Sequence, residues 1–113
     1  MAFGRLDVFW PEGQFMTFQL VENSISVGRS TGNTIALDTN TISRYHFGLT
    51  HDGQKTFITD MESANGTFVD GERLAPNTPR ELDGGDEIQI GHLRMIYHQL
   101  DEMATQPVKV IEE

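Results

Sequence analysis

Apolar and polar residues alternate in short runs along most of the chain. Residues 17–21, 25–27, 45–50, 57–59, 67–69, 88–90 and 93–97 each have the period of a half-buried strand. Strong turn pairs separate them: Asp52-Gly53, Asn65-Gly66, Asp70-Gly71 and Gly84-Gly85. No window carries an apolar stripe at helical spacing for long enough to form a helix. Turn signals recurring about every ten residues predict an all-β fold, a two-sheet antiparallel β-sandwich. The alternation lapses at Asp101, so the reading is one domain over residues 1–100 and an acidic linker or tail over 101–113.

At 113 residues the chain can bury a real core. Its 17 acidic against 8 basic residues give a net charge of −9, a field that repels a nucleic-acid backbone. That field does not exclude one phosphate on a peptide, because charges are screened beyond about 8 Å at physiological salt. The absence of cysteine excludes disulfides and thiolate metal sites and suits a cytoplasmic setting. No apolar run is long enough for a signal-peptide core or a membrane span, so no membrane partner is expected.

The candidate chemistry sits on turns. Arg29 follows Gly28 at the end of the 25–27 strand, and a guanidinium fork matches phosphate oxygens bidentately. Ser43 and Arg44 bring a hydroxyl, a backbone N–H and a second cation to the start of the 45–50 strand, a set that suits an oxyanion. The Asn65 amide offers a donor and an acceptor, enough to hold an extended peptide's main chain. Taken singly, each has an ordinary structural reading: a surface arginine among carboxylates, a serine capping its own turn, a hairpin asparagine.

His46 lies three residues after Ser43; in an extended strand the two face opposite ways and make no nucleophile–base pair. His46 therefore reads as a buried histidine whose hydrogen bonds fix the loop. His51, beside Asp52-Gly53, reads as solvated turn surface. His92 and His98, six residues and roughly 20 Å apart along a strand, cannot share a metal. The Gly28-Arg29-Ser30-Thr31-Gly32 run lacks the Gly-Lys-Ser/Thr ending and the helix of a nucleotide loop. No cofactor and no catalytic set is expected.

The order of these motifs is more specific than any one of them. Gly28-Arg29-Ser30, Asn33-x-Ile35-x-Leu37, Ile42-Ser43-Arg44-x-His46, Ser63-x-Asn65-Gly66-Thr67-Phe68-Val69-Asp70-Gly71 and Leu82-x-x-Gly85-Asp86-x-Ile88-x-Ile90-Gly91 follow one another along the chain. In this the sequence resembles the forkhead-associated (FHA) domain family from about Phe18 to Tyr97. The resemblance implies a β-sandwich with its ligand site in loops at one end. It implies a phosphothreonine-peptide-binding module whose partner is a phosphothreonine-containing protein, a Ser/Thr kinase or its substrate. By position it assigns Arg29, Ser43 and Arg44 to the phosphate, Asn65 to the peptide backbone and Thr41 to peptide specificity. It leaves Gly28, His46, Gly66 and Thr67 as the loop scaffold. Ala64 stands where some members carry a hydroxyl, so this chain lacks one donor. The alternative is a phosphate-independent assembly domain of a larger protein, which would not need Arg29, Ser43 and Asn65 together. A hydrolase lacks a workable nucleophile–base pair.

Overall fold

The structure, a computed structural model, describes residues 1–100. Within them the chain forms eleven strands and no helix. In order these are β1 (Gly4–Phe9), β2 (Phe15–Leu20), β3 (Ser24–Gly28), β4 (Ile35–Ala36), β5 (Phe47–His51) and β6 (Thr56–Asp60). There follow β7 (Thr67–Val69), β8 (Glu72–Arg73), β9 (Arg80–Leu82), β10 (Glu87–Ile90) and β11 (Leu93–Gln99). They build a six-stranded sheet, β2-β1-β11-β10-β7-β8, and a five-stranded sheet, β4-β3-β5-β6-β9. Every pairing is antiparallel except β3 with β4, where Val27 lies opposite Ile35 in parallel. The two-sheet sandwich expected from the alternation is the fold. The linker expected over 101–113 lies outside the described residues.

Period-2 alternation decides which side chains meet. Leu6, Val8, Ile88, Ile90, Met95 and Tyr97 of the larger sheet join Ile25, Val27, Phe47, Leu49, Ile58 and Leu82 of the smaller in one buried cluster. The sheets are also tied by a polar link: the Tyr97 hydroxyl and Thr56 Oγ1 are 2.7 Å apart and buried. Asp70 and Gly71, at φ 50° and 86°, make the two-residue type I′ turn that joins β7 to β8.

Two expectations are corrected here. The strand expected over 45–50 begins at Phe47, so Tyr45 and His46 belong to the preceding loop. His51 is not solvated turn surface but the last residue of β5. Its ring stacks on Phe3 at 4.2 Å, and its Nδ1 is 3.0 Å from Thr56 Oγ1.

Register places the functional loops together. Val27 of β3 is opposite Phe47 of β5, and Phe47 is opposite Asp60 of β6. The end of β3, the start of β5 and the end of β6 therefore lie side by side, and the loops that leave them emerge at one end of the sandwich. In the other sheet Thr67 of β7 is opposite Ile90 of β10, which brings the Gly91-His92 turn to the same end. No helix among the described residues is long and apolar enough to cross a membrane.

Candidate functional site

Three loops at this end are stitched together by main-chain hydrogen bonds. The Arg29 N–H donates to the Ser43 carbonyl at 3.0 Å and the Ser30 N–H to the Arg44 carbonyl at 3.1 Å. A close approach makes this possible: a Cβ on Gly28 would overlap the Arg44 carbonyl oxygen and stand 2.8 Å from its carbon. Buried Asn33 supports the same crossing, its Nδ2 donating to the Ser30 carbonyl at 2.8 Å and the Arg44 carbonyl at 2.7 Å.

His46 links the second loop to the third. The Ser43 N–H donates to His46 Nδ1 at 3.0 Å, so the ring carries its proton on Nε2 and donates it to the Gly66 carbonyl at 2.9 Å. The ring is fully buried, and burial pushes its pKa below the ordinary histidine value. Neutral His46 fits this arrangement; a protonated ring would present a second donor to the Ser43 N–H. Ser43 and His46 thus meet through backbone and ring, on a loop rather than on opposite faces of a strand. The Ser43 N–H is thereby taken, so it is not the backbone donor free for an oxyanion at this loop.

Asp60, at the end of β6, organises the third loop. Its carboxylate accepts the Ser63 hydroxyl at 2.6 Å, the Ser63 N–H at 3.1 Å and the Thr67 hydroxyl at 2.6 Å. Burial alone would raise the Asp60 pKa; these hydrogen bonds outweigh it and hold it below the ordinary value. The Ser63 hydroxyl in turn accepts the Gly66 N–H at 3.0 Å.

The groups facing solvent from this frame are few. Arg29 is held by its Nε–H, which donates to the Ile42 carbonyl at 3.2 Å, and no acceptor among the described residues takes its two terminal nitrogens. Ser43 Oγ accepts the Ala64 N–H at 3.0 Å, which leaves the hydroxyl proton to give. The Arg44 side chain is exposed and carries no ion pair among the described residues. Asn65 is exposed and donates from Nδ2 to the Thr41 carbonyl at 3.3 Å, leaving its amide oxygen unclaimed. The Thr41 hydroxyl accepts the His92 N–H at 3.3 Å. Beside it opens a cleft of ≈ 440 Å³ lined by Thr41, Asn65, Phe68, Gln89, Gly91 and His92.

The structure therefore brings Arg29, Ser43, Arg44, Asn65 and Thr41 to one surface and puts Gly28, His46, Gly66 and Thr67 beneath it. Thr67 is a strand residue, buried in β7 and bonded to Asp60. Sequence reasoning missed Asn33, Asp60 and Ser63 as individuals. Asp60-x-x-Ser63 is an aspartate placed to accept the N–H three residues on, a legible turn signal.

The family model of the FHA domain matches residues 25–91, from β3 through the Gly91 turn. The chain belongs to the FHA domain family. That family is one of phosphothreonine-binding interaction modules. The oxoglutarate dehydrogenase inhibitor of Corynebacterium jeikeium is 36% identical over 80 residues, 71% of this chain and 54% of that protein. The chain spans about half or less of the curated relatives it matches first. An FHA domain solved in work on phosphothreonine-dependent FHA domain interactions superposes with a TM-score of 0.74 at 29% identity, over 86% of this chain and 98% of that one. The FHA domain of FhaA, complexed with the intracellular domain of Rv3910, superposes with a TM-score of 0.73 at 30% identity, over 84% and 99%.

Proposed function

We propose that this FHA domain binds a phosphothreonine-containing protein, a Ser/Thr kinase or its substrate, and performs no chemistry on it. One observation carries the reading. In a chain of net charge −9, the two terminal nitrogens of Arg29 and the hydroxyl proton of Ser43 stand unclaimed by the described residues, on loops fixed by their own main chain. Donors held ready in this way lose little entropy on binding an oxyanion. Arg44 adds a second cation. The Asn65 amide oxygen can accept a peptide N–H, and Thr41 tunes side-chain preference from the adjoining cleft. The similar FHA domain solved in work on phosphothreonine-dependent interactions supports phosphothreonine as the ligand class.

Hydrogen bonds to a charged group are worth ~1.5–3 kcal/mol each, so losing the phosphate should remove most of a micromolar affinity. Calorimetry with phosphothreonine, phosphoserine and unmodified versions of one peptide tests this. The expected order is phosphothreonine tightest, phosphoserine weaker by the value of one buried methyl (~0.8–3 kcal/mol), and the unmodified peptide unbound. Equal binding of the unmodified peptide would sink the proposal in favour of phosphate-independent assembly.

A further inference from the structure

Seven of the eight lysines and arginines lie among the described residues. Arg5, Lys55, Arg80 and Arg94 each have a carboxylate oxygen at 3.1–3.7 Å. Among the described residues Arg29, Arg44 and Arg73 have none within ion-pair distance. Three of the six arginines thus stand without a carboxylate among the described residues, in a chain that carries 17 acidic residues. Two of the three already face the phosphate surface. The third is Arg73.

Arg73 ends β8 and lies opposite Phe68 in register. Its guanidinium carbon is 5.9 Å from the centre of the Phe68 ring, at the outer limit of a cation–π contact. The guanidinium also lies against Gly66: a Cβ there would stand 2.7 Å from Nε and 2.9 Å from Cζ. Gly66 sits at φ +92°, so a side chain is unfavourable there on both counts. Asn65 and Phe68 line the cleft; Arg73 is not among its lining residues but is held next to them, between Gly66 and the Phe68 ring.

Neighbouring carboxylates do not answer it. Glu72 turns to Arg80, 3.6 Å away. Arg94 gives the contrast within the same sheet: it lies 4.6 Å over the Phe9 ring, yet it is paired with Glu87 at 3.6 Å. A guanidinium held beside a cleft with no internal counter-charge is poised to take an external one.

We infer that Arg73 recognises a second anionic group of the bound peptide, apart from the phosphothreonine. The partner class is then an acidic or doubly phosphorylated phosphothreonine peptide. This inference rests on the phosphothreonine reading above. The test starts from a phosphothreonine peptide with neutral flanks. Aspartate is then placed singly at each of the positions around the phosphothreonine, and phosphoserine at the same positions in a second series. Affinities are measured for the wild-type chain, Arg73→Gln and Arg73→Lys. The expected result is one position at which an anion tightens wild-type binding about three- to tenfold, the range for a partly screened pair. Arg73→Gln loses that gain and Arg73→Lys keeps part of it. A gain with aspartate assigns a carboxylate; a gain confined to phosphoserine assigns a second phosphate.

A flat scan in the wild type, or a gain that survives Arg73→Gln, overturns the inference and leaves phosphothreonine binding untouched. So does an equal loss for neutral and acidic peptides in Arg73→Gln, which would make Arg73 a prop for the loop. Failure of the neutral-flank peptide to bind the wild type in the first place removes both readings.

Discussion

Replacing Arg29 separates charge from geometry at the centre of the site. Its Nε–H is spent on the Ile42 carbonyl, so the phosphate would meet the two terminal nitrogens of a fork already aimed. Two charge-assisted bonds at ~1.5–3 kcal/mol each put the loss in Arg29→Ala at about 3–6 kcal/mol. Arg29 is exposed, and screening favours the lower end, roughly a hundredfold or more in Kd. Arg29→Lys keeps the charge but loses both the Ile42 anchor and the fork, so it should still bind poorly. The fold should change little, because the loops are joined by main-chain bonds that neither substitution removes. The one lost anchor is worth about 1 kcal/mol, a shift of a few degrees in Tm. Calorimetry with a phosphothreonine peptide, paired with thermal melts followed by circular dichroism, gives both numbers. Wild-type affinity in Arg29→Lys would refute the bidentate role. A collapse of Tm in Arg29→Ala would mean that Arg29 is scaffold and not site.

Gly28→Ala should do the opposite, lowering stability and affinity together. Its Cβ would stand 2.8 Å from the Arg44 carbonyl carbon, so the loops must part and the two main-chain bonds at 3.0 and 3.1 Å weaken, for about 1–3 kcal/mol; an unchanged melt would refute the close approach. His46 should make stability depend on pH, because burial lowers its pKa in the folded state. Its contribution is complete above the unfolded value of about 6.5 and declines as pH falls below that, by at most ~1.4 kcal/mol per unit. Denaturant unfolding of wild type and His46→Gln between pH 7.5 and 5 should show the wild type losing more; parallel profiles would contradict the neutral ring. Asp60, also held low, adds a loss only below about pH 4.

What could be read from sequence divides along a physical line. Alternation and turn chemistry are local, and they marked the long strands, the hairpins and the loops that carry Arg29, Ser43 and Asn65. Short strands escaped, since two-residue β4 and β8 have no period to detect. Tyr45 and His46 were drawn into β5 because an aromatic residue beside a strand has strand propensity whether or not it pairs. β1 carries the same local signal: Leu6 and Val8 alternate with Arg5, Asp7 and Phe9 as in a half-buried strand.

Hydrogen-bond destinations are not local, and the site depends on them. Nothing in Ser43-Arg44-Tyr45-His46 tells that the Ser43 N–H ends on the His46 ring, leaving only the hydroxyl to face a phosphate. Pairing of charges is less local still. In sequence Glu72 is the obvious counter-charge for Arg73, its immediate neighbour. Consecutive strand residues, however, point to opposite faces. The Glu72 carboxylate meets Arg80 from β9 of the other sheet, while Arg73 turns to Phe68 and Gly66. An arginine that looks neutralised on paper is therefore left with its charge beside the cleft. That displacement, visible only once the strands are in register, turns an ordinary surface pair into a candidate for reading the partner's sequence.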